Sequence, residues 1–101
     1  MAGSINNVGS ENLTVSTAAV ALTDVETYNP RHALIYVGVS PVRWRGDGTD
    51  PTSTTGMYVA AGSYIDWTEA DTDFRSIISK VKFIRDTTAG ADATLAVLYF
   101  D

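Results

Sequence analysis

Short runs of β-branched and aromatic residues, each bounded by turn-forming residues, recur along most of this chain. The clearest run is "HALIYVGVS" (32–40), which ends at Pro41, and "VRWR" (42–45) then alternates apolar with charged side chains. Alternation of this kind is typical of a strand with one buried face, and no sustained helical periodicity competes with it. The chain is therefore restricted to a fold built almost entirely from short β-strands.

Similar patterns predict further strands elsewhere in the chain: one or two over 13–23, two fragments around Gly62 within 57–67, one over 80–86 and a last one over 93–101. With about seven or eight strands in total, the sequence predicts an all-β fold, an antiparallel β-sandwich or small barrel. A jelly roll is one compatible version, and the strand order stays open.

Two segments fall outside this pattern. Residues 1–12 are small and polar and predict a flexible N-terminal arm, which leaves a single domain over 13–101. Residues 68–79 predict a helix of one or two turns, capped by Thr68 or Asp71.

The last strand, "ATLAVLYFD", has apolar residues on both of its faces. Such a strand either lies in the middle of a sheet under another layer, or presents one face to a partner subunit.

Composition excludes several classes of function. The chain has 101 residues, a net charge of −5 and no cysteine. Without clustered Lys and Arg we expect no nucleic-acid binding, and an acidic protein is poorly suited to an anionic membrane surface. Disulfides, thiolate metal sites and cysteine nucleophiles are excluded. The first residues do not resemble a signal peptide, so we expect a soluble protein made in a cytoplasm.

Catalysis has little support in the sequence. His32 is the single histidine, it lies at the start of the clearest strand, and no nucleophile-elbow motif accompanies it. A chain this short leaves little room for a substrate cleft beside a core. We therefore expect a non-enzyme, with no catalytic residue and no cofactor.

Two acidic stretches carry the oxygen ligands that calcium prefers. Neither stretch has the spacing of an EF-hand loop, so we expect solvated turns and no metal site. The residues concerned are Asp47, Asp50, Glu69, Asp71 and Asp73.

Exposed aromatic rings would favour a carbohydrate-binding site. Trp44 alternates with Arg43 and Arg45, which places its ring on the buried face of a strand, whereas Trp67 follows Asp66 near a strand end and is the candidate exposed ring. Aromatic residues of small β-domains more often fill the core.

The tripeptide Arg45-Gly46-Asp47 is the one that integrins bind on adhesive proteins, but each residue also has a structural explanation. Arg45 is the outward residue at a strand end, and the two glycines beside Asp47, Gly46 and Gly48, suit a tight turn that needs positive φ. We interpret the tripeptide as the end of a strand and the start of a turn.

The run "VRWRGDGTDPTSTTG" (42–56), followed by Met57, resembles a strand-loop-strand of small structural proteins of tailed-phage and prophage virions. The matching residues are Val42, Arg43, Trp44, Arg45, Asp47, Gly48, Pro51, Thr52 and Gly56. The segment "VKFIRDTTAGADATLAVLYF" (81–100) is similar to their C-terminal part, so the resemblance covers about residues 31–101. Gly46 departs from the pattern, which is variable and often acidic there.

The resemblance implies a virion component on the capsid surface, made in the host cytoplasm and without enzymatic activity. We expect a decoration (cement) protein that forms a homotrimer, binds the major capsid protein and stabilises the shell. A tail, neck or fibre-associated β-domain is the nearest alternative. A carbohydrate-binding module ranks third and a small hydrolase last.

Overall fold

Two antiparallel four-stranded sheets form the computed structural model, which describes residues 6–69 and 74–101. In order along the described chain the strands are β1 (Asn7–Val15), β2 (Val20–Ala21), β3 (His32–Gly38), β4 (Val42–Arg45), β5 (Met57–Val59), β6 (Tyr64–Thr68), β7 (Lys82–Arg85) and β8 (Ala93–Phe100). Helix α1 (Val25–Tyr28) precedes β3, and helix α2 (Phe74–Lys80) precedes β7. Neither helix is long and apolar enough to cross a membrane.

The strand order is that of a jelly roll. The first sheet has the order β1-β8-β3-β6 and the second has the order β2-β7-β4-β5. Consequently β1 pairs with β8, β2 with β7, β3 with β6 and β4 with β5, always antiparallel. This pattern arises when one long hairpin wraps around a common core. The predicted all-β antiparallel sandwich is confirmed, and the structure supplies the strand order.

The core lies between the two sheets. It consists of inward-facing side chains, which alternate with outward-facing ones along the strands. Along β8 every second side chain is buried, from Ala93 to Tyr99, and the residues between them face outward. The largest fully buried side chains include Val15, Ile35, Val37, Val42, Phe74, Phe83, Leu95, Val97 and Tyr99. β8 lies in the middle of its sheet, between β1 and β3, as one of the two alternatives predicted, but its outward residues are largely exposed and no further layer of the described chain covers them.

The predicted N-terminal arm over residues 1–12 needs a correction. Residues 7–12 are the first part of β1, an edge strand paired along its length with β8. Small polar residues form a strand here because the backbone pairing itself needs no apolar side chain. Residues 1–5 of the predicted arm lie outside the described residues.

A buried carboxylate ties β1 to the rest of the sandwich. Glu11 is only 8% exposed, and it accepts hydrogen bonds from the Tyr99 hydroxyl at 3.0 Å and from the backbone N–H groups of Thr23 and Asp24 at 3.0 and 2.7 Å. Burial, together with the Glu11 charge, raises the pKa of Tyr99, so its hydroxyl remains a donor. The acidic residue of this polar strand is thereby satisfied inside the fold.

The two helices differ from the prediction in their number, bounds and caps. α2 confirms a short helix in this region but spans Phe74–Lys80, one residue beyond the predicted 68–79, and it places Phe74 and Ile78 on the core. Of the two predicted caps, Thr68 is the last residue of β6 and Asp71 lies outside the described residues. α1 is a single turn that was not predicted, and it ends at Asn29 in the left-handed conformation.

Candidate functional site

The chain's own β4–β5 loop, residues 46–56, covers the centre of the outer face of the second sheet, around Ile84. Ile84 points outward from the central strand β7, yet it is only 8% exposed. The loop is held over it by a hydrogen bond from the Thr87 N–H to the Ser53 carbonyl at 2.9 Å and by an ion pair between Lys82 and Asp50 at 2.9 Å. We call this surface, built on Arg43, Tyr58, Lys82 and Ile84, the covered face.

An ion pair at the edge of the covered face fixes one end of the loop. Arg43 Nε donates to Asp86 Oδ1 at 2.6 Å, and its Nη1 donates to the Gly56 carbonyl at 3.0 Å. Hydrogen bonds from the Thr88 hydroxyl and backbone N–H, and then the Arg43 charge, lower the pKa of Asp86. All of these polar groups serve to hold chain segments to one another.

The Arg45-Gly46-Asp47 tripeptide lies at the start of this loop, and its two charged side chains bind each other. Arg45 Nη2 donates to Asp47 Oδ2 at 2.5 Å, and the Thr49 N–H donates to Asp47 Oδ1 at 3.1 Å. These hydrogen bonds, with that from Arg45 the larger, lower the pKa of Asp47 to about 2. The predicted outward position of Arg45 agrees with its place opposite Lys82 on the covered face.

The two glycines of this turn have different reasons for being there. Gly48 has φ +90, as a turn requiring glycine predicts. Gly46 is not at positive φ, and a Cβ there would lie 3.1 Å from a methyl group of Ile77 on α2. The prediction of positive φ is therefore correct for Gly48 and wrong for Gly46, where a Cβ would pack tightly against Ile77 of α2.

A pocket of about 360 Å³ lies between the loop and the β7–β8 turn. Asp86 and Arg85 line it, but Asp86 is bound to Arg43 and Thr88, and Arg85 donates to Asp92 and to the Ala89 carbonyl. The remaining lining residues are Thr17, Pro51, Thr52, Ser53, Ile84, Thr87 and Ala89. The pocket therefore has no charged group that is free of a partner within the chain.

His32 lies at the start of β3, as predicted, and its ring stacks on Phe100 with the centroids 5.0 Å apart. Its Nε2 contacts the carboxylate of Asp66 on the neighbouring strand β6. Its Nδ1 is buried and has no hydrogen-bond partner among the described residues. Within the part of the chain that the structure describes, no hydroxyl lies on this second nitrogen, where a nucleophilic triad would place one.

The acidic candidates for a metal site are scattered. Asp47 pairs with Arg45, Asp50 with Lys82, and Glu69 lies 3.9 Å from Arg31. Within residues 6–69 and 74–101, no three His, Asp or Glu side chains are grouped so that they could hold a metal ion. The other two candidates, Asp71 and Asp73, lie outside the described residues.

The two tryptophans pack on each other across the sandwich. Their rings meet edge to face with centroids 4.9 Å apart, and both rings lie against the core. The inward position predicted for Trp44 is confirmed. The interpretation of Trp67 as an exposed ring is wrong. Trp67 lies on the same inward face of β6 as the buried Ile65, and its ring packs on Trp44.

The outer face of the first sheet is uncovered and apolar. The pairing register places Leu34 beside Leu98, Tyr36 beside Ala96 and Tyr64, and His32 beside Phe100. Tyr64 is 65% exposed, and Tyr36 and Leu98 are each 39% exposed. We call this surface the open face, with an apolar centre formed by Leu34, Tyr36, Tyr64, Ala96, Leu98 and Phe100.

Polar residues surround the apolar centre of the open face. On the β1 side, Ser10 and Asn12 lie opposite Leu98 and Ala96. On the β6 side, Asp66 lies opposite Leu34 and is paired with His32. An apolar centre with a polar rim and few charges is the anatomy of a protein interface.

Part of the open face can be predicted from the sequence, and another part cannot. The apolar outer residues of β8 were visible as a strand that is apolar on both faces. The ring pair Tyr36–Tyr64, with centroids 5.1 Å apart, was missed because it depends on the pairing of β3 with β6. Alternation within each strand was the available signal, since both tyrosines are at outward positions.

No family model matches this chain, and neither the curated proteins nor the solved structures contain a match.

Proposed function

We propose that the protein is a structural component of a tailed-phage virion, a decoration (cement) protein that binds the major capsid protein and has no enzymatic activity. The observation that carries this proposal is the open face: an exposed, almost uncharged sheet surface on a chain with a net charge of −5. Large exposed apolar patches mark surfaces that bind other proteins. The jelly roll itself is a fold of viral capsid domains, which supports the proposal by analogy.

The sequence that resembles phage structural proteins has a defined place in the fold. Residues 42–56 form β4 and the loop that closes the covered face. The shared Arg43, Gly56 and Pro51 are in contact there: Arg43 donates to the Gly56 carbonyl, and Pro51 packs near Gly56, whose φ is +120. This part of the resemblance therefore concerns residues that build the scaffold.

The proposed assembly is a homotrimer on the outside of the capsid shell. Each copy can bury the apolar centre of its open face against another copy or against the shell. A protein that binds only the assembled shell stabilises it by mass action. A net negative charge suits an outer surface, away from the packaged DNA.

The test is electron microscopy of virions made with and without the gene for this protein. We expect ordered density on the capsid lattice that disappears when the gene is deleted, and reduced capsid survival on heating. Density that disappears from the tail or neck would favour the tail-associated alternative. Virions identical in both preparations would refute a structural role.

A carbohydrate-binding module is the second candidate, and the Tyr36–Tyr64 pair is the observation that favours it. Aromatic rings present apolar faces to sugar rings, and the Asp66 carboxylate lies on the same sheet face. Jelly rolls also occur in lectin domains. Binding on a glycan array that is lost in Tyr64→Ala, but not in Trp67→Phe, would favour this function over the structural one.

A further inference from the structure

Val39 has a backbone conformation that its residue type disfavours. Among the described residues five have positive φ, and four of them are of the types that tolerate it: Gly48, Gly56, Gly62 and Asn29. The fifth is Val39, with φ +71. A β-branched residue is an outlier in this region, because its side chain crowds the backbone.

The conformation comes from a very tight turn between β3 and β4. The Ser40 N–H donates to the Gly38 carbonyl at 2.8 Å, so Val39 is the central residue of a three-residue γ-turn. Positive φ makes this the rare and strained form of the turn. Glycine would relieve the strain, and its absence from this position needs an explanation. Strained residues persist where function depends on them.

The Val39 side chain is also directed into solvent. It is 69% exposed, more than any other exposed large hydrophobic residue of the described chain, Tyr64 and Met57 following at 65% and 60%. Its turn is held rigidly, because the Val37 N–H donates to the Ser63 carbonyl and the Gly62 N–H donates to the Val37 carbonyl. The structure thus presents a preorganised apolar knob at the end of the sandwich.

Charge indicates the kind of surface that this knob fits. Residues 37–42 and the neighbouring β5–β6 turn, 60–63, contain no charged residue, although the chain carries 7 basic and 12 acidic residues in total. The turn also lies where the chain passes from the first sheet to the second, at an end of the sandwich and beside neither flat face. The surface that complements this end of the sandwich is an apolar, uncharged recess. Binding through this end leaves the open face available for contact with other copies of the chain.

We infer that Val39 is a contact residue for the capsid shell, and that its side chain inserts into an apolar recess of the major capsid protein. This inference rests on the proposed function. The strain at Val39 is retained because the exposed isopropyl group contributes to attachment. Attachment and the stability of the free protein therefore oppose each other at this one residue.

The experiment compares the wild-type protein with Val39→Ala, Val39→Gly and the control Met57→Ala. Each is tested for thermal unfolding alone and for co-sedimentation with capsids purified from a phage strain that lacks the gene. Both substitutions of Val39 should weaken binding about tenfold, because both remove the isopropyl group. Val39→Gly should also raise Tm by roughly 2–5 °C, because it alone removes the strain. Met57→Ala should bind within about twofold of the wild type, since Met57 is similarly exposed but lies in an ordinary strand.

The outcomes separate this inference from the proposed function. If wild-type protein does not bind the capsids, the proposed function fails. If wild-type protein binds and Val39→Ala binds equally well, the proposed function stands and the role of Val39 is wrong. A Tm for Val39→Gly below that of Val39→Ala, which keeps a Cβ at positive φ, would show that the turn is unstrained and would overturn the reason for singling out Val39.

Discussion

The two sheets of this sandwich differ most on their outer faces. On the covered face, Lys82 of β7 forms an ion pair with Asp50 of the β4–β5 loop, and Ile84 beneath the loop is 8% exposed. On the open face, the corresponding central strand β8 presents Leu98, which is 39% exposed. The face whose charged residues form ion pairs is therefore closed by a loop of the same chain, whereas the apolar face is left for a partner.

The largest difference is expected from shortening the two central outward residues. Ile84→Ala should lower the free energy of unfolding by about 2–4 kcal/mol, because the covering loop leaves a cavity when the side chain is lost. Leu98→Ala should cost the isolated chain less than about 1 kcal/mol, since much of its surface is already in water. Urea unfolding of both variants, measured where the protein is monomeric, makes the comparison. Equal costs would show that the two faces are equally covered.

Breaking the ion pair that fixes the loop should have the next largest effect. Asp86→Asn leaves Arg43 without its carboxylate and should lower Tm at pH 7 by on the order of 10 °C. Because the pKa of Asp86 is lowered in the fold, its stabilisation is complete above the unfolded value of 3.8 and is lost as the pH falls below it. The difference in Tm between wild type and Asp86→Asn should therefore shrink below about pH 4. A difference that is independent of pH would contradict an ionised role for Asp86.

A charge on the open face should act on association and leave the fold of the single chain in place. Light scattering of the wild-type protein should give about three times the 10.8 kDa of one chain, as the proposed trimer requires. Leu98→Asp should weaken this association by at least roughly tenfold, because a carboxylate would be buried at an apolar contact. Met57→Asp is the matched control outside the open face. A monomeric wild type, or an oligomer that Leu98→Asp leaves intact, would exclude the open face as a contact between copies.

The smallest effect is expected at the Arg-Gly-Asp turn. Asp47→Asn removes an ion pair whose partners are 37% and 56% exposed, so solvent screens most of its contribution. Tm should change by no more than about 2 °C at pH 7, and the mass of the oligomer should not change. A loss of association in this variant would mean that the turn takes part in a contact.

For the site, single-strand patterns were sufficient in some places and insufficient in others. The outward apolar residues of β8 and the inward Trp44 follow from alternation within one strand. Trp67 was misplaced because a residue near a strand end has no clear alternation, and its position was settled by Trp44 on the opposite sheet. Gly46 was assigned positive φ, whereas it lies close to Ile77 of α2 at ordinary φ.

The sequence by itself determined that this chain forms short antiparallel strands, because alternation and turn residues are local properties of neighbouring residues. It also determined that "VRWRGDGTDPTSTTG" is a strand followed by a loop. Tertiary structure decided the jelly-roll order, the pairing of residues 7–12 with β8, and which outer face the loop would cover. The physical reason is that these features depend on contacts between residues far apart in the chain, and alternation within a strand carries no information about its neighbours.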